Sequence, residues 1–264
     1  MLDVIPEVPV YAAERQQEMT QLVRERGRIS VVELADRYEV TTETVRRDLS
    51  VLEDRNLVRR VHGGAVPADA LTLLEAGLPD RDVSRIEQKQ RIAAAAVDLL
   101  PHADSTVILD AGSTTVRLSR LLPPNLRITV ITHAIPIAAQ LAGAPQIELH
   151  VLPGRVRRHT HAAVGPETVE ALDQVRADLA FVGSNGITVK HGLSTPDRTE
   201  AAVKRAIIQR ARRTVVLADS SKIGVERTIK FAELSDIDAL VTDKEITGSD
   251  RRAIEKLGVE VIAV

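Results

Sequence analysis

The chain of 264 residues contains no cysteine and no tryptophan, and aromatic residues make up only 2% of it. The missing thiols exclude disulfides, thiolate metal sites and cysteine nucleophiles, and they suit a reducing cytoplasm. With so few rings, Leu, Ile, Val and Ala have to fill the core, and a hydrophobic content of 44% supplies enough of them. No apolar run approaches the ~20 residues of a membrane span, so no membrane partner is expected. A charge excess is missing too. The 35 Lys and Arg are balanced by 37 Asp and Glu, so any nucleic-acid contact has to come from a local patch. The opening MLDVIPEVPV is acidic and carries two prolines. It lacks the basic start and apolar stretch of a signal peptide, and residues 1–11 read as a flexible leader.

What is present starts with Glu14 to Ala65. Val45, Leu49 and Leu52 recur at i, i+4 and i+7 and form one apolar stripe. Thr42, Thr44, Arg46 and Arg47 then fall mostly on the opposite side, a face suited to base edges and phosphates in a DNA major groove. Ser30-Val31-Val32-Glu33 has the spacing of a capping box and predicts a helix from Val31, with Val32, Leu34 and Ala35 inward. Thr41 can cap the next helix after the short Tyr38-Glu39-Val40 turn. An earlier helix over Ala12 to Arg26 turns Ala12, Met19, Leu22 and Val23 inward, and Gly27 stops it. Leu57 to Val61, followed by His62-Gly63-Gly64, reads as a two-stranded wing. The pattern is a winged helix-turn-helix domain over residues 12–66. A three-helix bundle with a solvated charged face would show similar periodicity, because Arg and acidic residues are equal in number here, ten each. The basicity is local. The candidate DNA contacts are Ser30, Thr41, Thr42, Thr44, Arg46, Arg47, Arg59, Arg60, His62 and Gly63.

Residues 67–83 mix Ala, Leu, Gly and Pro without a period and read as a connector whose leucines dock on something. A second domain spans residues 84–264. Ser84-Arg85-Ile86-Glu87 predicts a capped helix to about Leu100. Strands are expected at Thr106–Leu109, Ile128–Ile131, Ile147–Leu152, Leu179–Val182, Thr214–Leu217, Ala239–Val241 and Val259–Ile262. Helical patterns lie near Thr115–Leu122, Ile135–Leu141, Thr168–Val175, Thr199–Ala211 and Asp250–Leu257. This alternation predicts an α/β domain with a parallel-rich sheet.

Ligands of such sheets bind outside the carboxyl ends of the strands. Five expected strands end there in small, hydroxyl or charged residues: Asp110 to Thr115, Thr132-His133, Pro153-Gly154-Arg155, Gly183 to Gly186, and Ala218 to Lys222. Gly112, Ser113 and Thr114 precede a helix, whose free N–H groups favour a phosphate. An ordinary βα turn uses the same residues. The lysines add a hint: only seven of the 35 basic residues are Lys. Lys222 follows a strand, and Lys204 sits early in the helix after Asp197, where a compact charge suits phosphate. Lys230, Lys244 and Lys256 read as solvated surface. The candidate effector residues are Asp110, Gly112, Ser113, Thr114, His133, Gly154, Arg155, Gly183, Asn185, Glu200, Lys204, Asp219 and Lys222, with His133 as a polar wall. His159-Thr160-His161 could chelate a metal, but no carboxylate or Cys completes a set, so no metal and no cofactor is expected.

The chain resembles DeoR-type bacterial transcriptional regulators. Gly27 to Val31, Glu33-Leu34-Ala35, Thr44 to Leu49, Leu52-Glu53 and Arg60 to Ala65 carry the resemblance in the first domain, with Asn56 standing where Gly is usual. In the second, Asp110 to Thr114, Gly154-Arg155, Val164-Gly165, Asp178 with Phe181 to Gly183, Gly186-Ile187, Glu200-Ala201 with Lys204, and Asp219 to Gly224 carry it. The resemblance implies a fold like ribose-5-phosphate isomerase and a phosphorylated sugar as effector. His133, where Asn is common, and Leu152-Pro153-Gly154, in place of a Gly-Gly turn, depart from the pattern. Leu152 to Arg158 and Leu193 to Asp197 look most like fructose-operon repressors of high-GC Gram-positive bacteria. The expectation is a cytoplasmic, non-enzymatic regulator. It binds double-stranded operator DNA as a dimer or tetramer, because one winged helix covers little DNA. A sugar-phosphate isomerase carrying a DNA-binding module, with Asp110, Glu200, Lys204 and Asp219 as its chemistry, is the alternative, and a partner-binding protein with a vestigial pocket is a third reading.

Overall fold

The computed structural model describes residues 12–27, 29–55, 57–61, 63–67 and 77–264. The expected leader, Arg28, Asn56, His62 and most of the connector lie outside the described residues. Two compact units result, one formed by the described residues up to Pro67 and one by those from Gly77.

The first unit contains α1 (Ala12–Arg26), β1 (Ile29–Ser30), α2 (Val31–Tyr38), α3 (Thr42–Asp54), β2 (Val58–Val61) and β3 (Gly64–Pro67). The caps form as expected. The Glu33 N–H donates to the Ser30 hydroxyl at 3.1 Å, and the Thr44 N–H donates to the Thr41 hydroxyl at 3.2 Å. Met19, Leu22 and Val23 of α1 meet Val31, Leu34 and Ala35 of α2 and Val45, Leu49 and Leu52 of α3 in one core. Asp48 is buried among them and accepts from Arg15 Nε at 2.7 Å and Gln16 Nε2 at 2.8 Å, tying α3 to α1.

Three local expectations fail. Val32 is 61% exposed, because a helix starting at Val31 turns positions 31, 34 and 35 inward together. Ala12, in the first turn of α1, is exposed. The wing has three strands in the order β1-β3-β2, with Ile29 opposite Ala65 and Ser30 opposite Gly64. Two residues are too few for β1 to show a period. Gly64 accommodates the extra strand, since a Cβ there would lie 2.1 Å from the Ile29 carbonyl oxygen.

The second unit opens with α4 (Leu78–Asp82) and α5 (Ile86–Val97). Next come β4 (Ser105–Leu109), α6 (Ser113–Arg120), β5 (Ile128–Thr132), α7 (Ile135–Leu141) and β6 (Ile147–Val151). A hairpin of β7 (Arg155–Arg157) and β8 (Ala162–Val164) leads to α8 (Pro166–Asp173), β9 (Ala177–Gly183), β10 (Gly186–Thr188) and β11 (Gly192–Thr195). The chain ends with α9 (Arg198–Arg210), β12 (Ala211–Leu217), β13 (Ile229–Ala232), β14 (Ala239–Thr242), α10 (Gly248–Glu255) and β15 (Glu260–Ala263).

All seven expected strands form one parallel sheet in the order β15-β14-β12-β9-β4-β5-β6. Val107, Leu109, Leu179, Phe181, Val215 and Leu217 face α5, α6 and α7, while Ile108, Ala180, Val182 and Val216 face α8, α9 and α10. The period-2 alternation thus feeds two cores, as a sheet covered on both faces requires. The short strands β10, β11 and β13 form a separate antiparallel sheet. Expectation did not include them or β7 and β8. The expected Ser84 cap does not form either. The residue before α5 is Arg85, left-handed at φ 48° and without a side-chain cap, while the Ser84 hydroxyl donates to the Arg81 carbonyl at 3.0 Å.

Candidate functional site

The outer face of α3 is what its packing leaves over. Arg46 and Arg47 are exposed, as are Thr41 and Glu43, while Thr42 and Thr44 are half-buried. Thr41 and Thr44 share a hydroxyl–hydroxyl bond of 3.0 Å, and Arg46 lies 3.5 Å from Glu43. The wing is fastened to the same helix. The Arg60 N–H donates to Glu53 at 2.8 Å, and its guanidinium donates to Ser50 at 2.5 Å. Arg60 therefore lies beside α3, as a wing-supported phosphate contact would. Ser30 is spent as the cap of α2. Gly63, at φ 75°, turns the hairpin and accepts from the Val31 N–H at 2.7 Å. The side chains of Arg59 and His62 lie outside the described residues.

The ligand cleft follows from strand order. The chain builds β4, β5 and β6 outward in one direction, then returns to place β9 on the other side of β4 and continues to β12, β14 and β15. The direction reverses between β4 and β9, and such a switch point leaves a crevice beyond the strand ends. A cleft lies there. It is lined by Ala111 to Thr115 after β4, Gly183 to Asn185 after β9, Asp219 and Lys222 after β12, Glu200 and Lys204 of α9, and Arg81 and Lys89.

Of the sequence-expected residues, Gly112, Ser113, Thr114, Gly183, Asn185, Glu200, Lys204, Asp219 and Lys222 come together on its walls. Asp110 lies directly beneath, fully buried, and accepts from Lys204 and from the Gly183 N–H at 2.8 Å. His133 is not a wall. It stands behind Asp110, with Nε2 3.0 Å from the carboxylate and Nδ1 2.8 Å from the Ala163 carbonyl. Gly154 and Arg155 are outside the cleft. His133, after the adjacent strand β5, is turned under β4 and also takes the Ala111 N–H at 3.2 Å, while β6 and the chain after it continue away from the switch point. Gly154 instead lets β7 approach α8, where a Cβ would lie 2.2 Å from the Thr168 hydroxyl.

The electrostatics divide the lysines. Burial alone would raise the Asp110 carboxyl, but Lys204 and the His133 hydrogen bond outweigh it and hold it at about 2. Lys204 is thereby taken up in an ion pair with Asp110, and it also donates to the Gly183 carbonyl at 3.0 Å. Lys222 is partly buried, and desolvation lowers its pKa, with Asp219 opposing and Arg227, Arg81 and Arg85 adding to it. Lys89 is 3% exposed. Desolvation lowers it to about 8, with Asp219 opposing and Lys222, Arg117 and Arg81 adding to the shift. Arg81 and Lys89 were not anticipated. Lys89 sits in a helix that looked like a simple amphipathic one, and Arg81 sits in the expected connector.

The carboxylates have partners within the fold. Glu200 is buried and pairs with Arg157 at 2.5 Å, Asp110 is held as above, and Asp219 accepts from the Ser221 N–H at 3.2 Å. Among the described residues no His, Cys, Asp and Glu group has metal-binding geometry, and His159 contributes its carbonyl to the Leu78 N–H at 2.6 Å. No described helix is long and apolar enough to cross a membrane.

Comparison with known proteins now decides the family. A DeoR-like helix-turn-helix domain matches residues 15–70, and a DeoR C terminal sensor domain matches residues 84–244. The chain belongs to the DeoR family of transcriptional regulators. It is 36% identical over 250 residues to the HTH-type transcriptional regulator GlpR of Haloferax volcanii, covering 95% of this chain and 97% of that one. It is 31% identical to the putative aga operon transcriptional repressor of Escherichia coli O157:H7, covering 96% and 94%. Among solved structures, ribose 5-phosphate isomerase A of Methanocaldococcus jannaschii aligns over 53% of this chain and 55% of its own at 21% identity and a TM-score of 0.39. The DeoR-family chain is thus a DNA-binding regulator with a sensor domain, and the relatives it matches are named as transcriptional regulators.

Proposed function

We propose that this DeoR-family regulator represses an operon for sugar uptake or catabolism and is released from it by a phosphorylated sugar, a fructose phosphate being the first candidate. The supporting observation is the crevice at the β4–β9 switch point. The free N–H groups of α6 open into it beside Lys222, Lys89 and Arg81, and a phosphate would complete that charge balance. The Ser113 and Thr114 hydroxyls, Asn185 and Asp219 then offer partners for sugar hydroxyls. The fructose preference rests only on the resemblance of residues 152–158 and 193–197. In the first unit, Thr42, Thr44, Arg46 and Arg47 read the operator, with Arg60 on a phosphate. Two or more copies act in the cytoplasm on paired half-sites.

Thermal unfolding of the intact protein against fructose 1-phosphate, fructose 1,6-bisphosphate, ribose 5-phosphate and unphosphorylated fructose tests this. A ligand at a hundredfold its Kd adds ~2.7 kcal/mol, and free fructose should add nothing. Stabilisation by none of the phosphates would overturn the reading. Stabilisation by ribose 5-phosphate alone would leave the cleft assignment and remove the fructose preference.

A further inference from the structure

The described part of the expected connector, from Gly77, is fastened to the cleft. Arg117 of α6 donates to the Asp82 carboxylate, and to the Asp82 carbonyl at 2.7 Å. It also reaches the carbonyl of Ser113, a cleft wall residue, at 2.9 Å. Lys89 of α5 donates to the Arg81 carbonyl, to the Ser84 carbonyl at 2.7 Å and to the Ser84 hydroxyl at 3.1 Å. Arg85 is held left-handed between α4 and α5, with its guanidinium 3.3 Å from Asp219 and 2.6 Å from Glu245. A left-handed residue other than glycine is disfavoured and persists where its surroundings enforce it. Three cations therefore tie one short turn to the cleft walls.

Lys89 is the pivot. Its three donors fill three neutral oxygens of the turn, and among the described residues no carboxylate is bonded to its buried ammonium. Arg81, beside it, also lines the cleft. An anion arriving there offers Lys89 a charge that the carbonyls cannot match, since charge-assisted hydrogen bonds are roughly twice as strong as neutral ones.

We propose that the α4–α5 turn reports occupancy of the cleft. Lys89 and Arg81 contact the ligand's phosphate, and this withdraws the Lys89 ammonium from the Arg81 and Ser84 carbonyls and frees α4, through which the chain arrives from the DNA-binding unit. This rests on the ligand reading above. It adds two ligand-contacting residues and the route by which binding leaves the site. The coupling is a difference in contacts between the two states, as linkage demands.

Hydrogen exchange of the full-length protein, read by mass spectrometry with and without saturating fructose 1-phosphate or inorganic phosphate, tests it beside calorimetric titration of the same samples. Amides of residues 77–85 should exchange at least about threefold faster when ligand is bound. The variant Asp82→Asn removes the ion pair of the Arg117 tie, leaving the bond to the Asp82 carbonyl, without touching the cleft wall. It should bind within about twofold of wild type, exchange faster in this turn without ligand, and respond little to its addition. Binding with unchanged exchange at 77–85 would overturn the proposal, as would a full ligand response in Asp82→Asn. Absence of binding heat with either probe would instead strike the ligand reading, and the inference would fall with it.

Discussion

The two units make their functional surfaces in opposite ways. In the first, packing takes Val45, Leu49 and Leu52, and the residues left over on α3 are the ones that face outward. In the second, Asp110, Lys204, Glu200 and Lys89 are all less than 5% exposed and are held by ion pairs or by backbone. A DNA reader needs solvated side chains that can reach a partner. A sensor needs preorganised charge out of water, where each interaction is worth more. The first kind of surface tolerates substitution in the fold and loses binding. The second loses fold and binding together.

The largest effect that would sharpen this contrast is at the buried pair. Lys204→Met leaves the Asp110 carboxylate buried without its ammonium, which costs about 3–5 kcal/mol. Urea unfolding should show the second unit weakened and the first unchanged. An equal loss in both units would break the comparison. Next is Gly64→Ala, whose new Cβ meets the Ile29 backbone. It should destabilise the first unit by about 1–3 kcal/mol, seen as an earlier transition with ligand binding intact. Third, Lys222→Ala should keep the melting behaviour of the unliganded protein and lower affinity for the best sugar phosphate about tenfold, or about 1.4 kcal/mol. Calorimetry showing wild-type affinity would remove Lys222 from the site.

A pH series separates the units without mutation. Lys89 has its pKa lowered to about 8. Below that value its ammonium is present, and as pH rises through it the charge is lost. Its charged neighbours are Arg81 on α4, Arg117 on α6, and Asp219 and Lys222 after β12. Phosphate-ligand affinity should fall from pH 7 to 9 while DNA affinity without ligand stays level. A flat ligand profile would count against contact with Lys89. The smallest effect is at the surface. Arg47→Ala should leave stability within about 0.5 kcal/mol and reduce the salt dependence of operator binding by about one if Arg47 touches phosphate.

Much of this was legible in the chain, for physical reasons that differ by element. Ser30 and Thr41 declare helix starts because a cap is a contact between residues three apart. The seven sheet strands declare themselves because a strand buried on both faces is a run of β-branched and aliphatic residues. Ser84 imitated a cap and was wrong, since Arg85 takes a left-handed conformation enforced by Asp219 and Glu245, more than a hundred residues away. β1 and β10 were too short to carry a period at all.

The sequence by itself determined the seven strands of the parallel sheet with the helices between them, the outward face of α3 and the polar character of those strand ends, because those depend on neighbours a few residues apart. Only the tertiary structure decided which strand ends share a cleft. Strand order put the ends of β4, β9 and β12 around one crevice, left the end of β5 behind Asp110 and carried that of β6 away. Order in a sheet is fixed by which hydrophobic faces can be covered together, and that is a property of the whole chain.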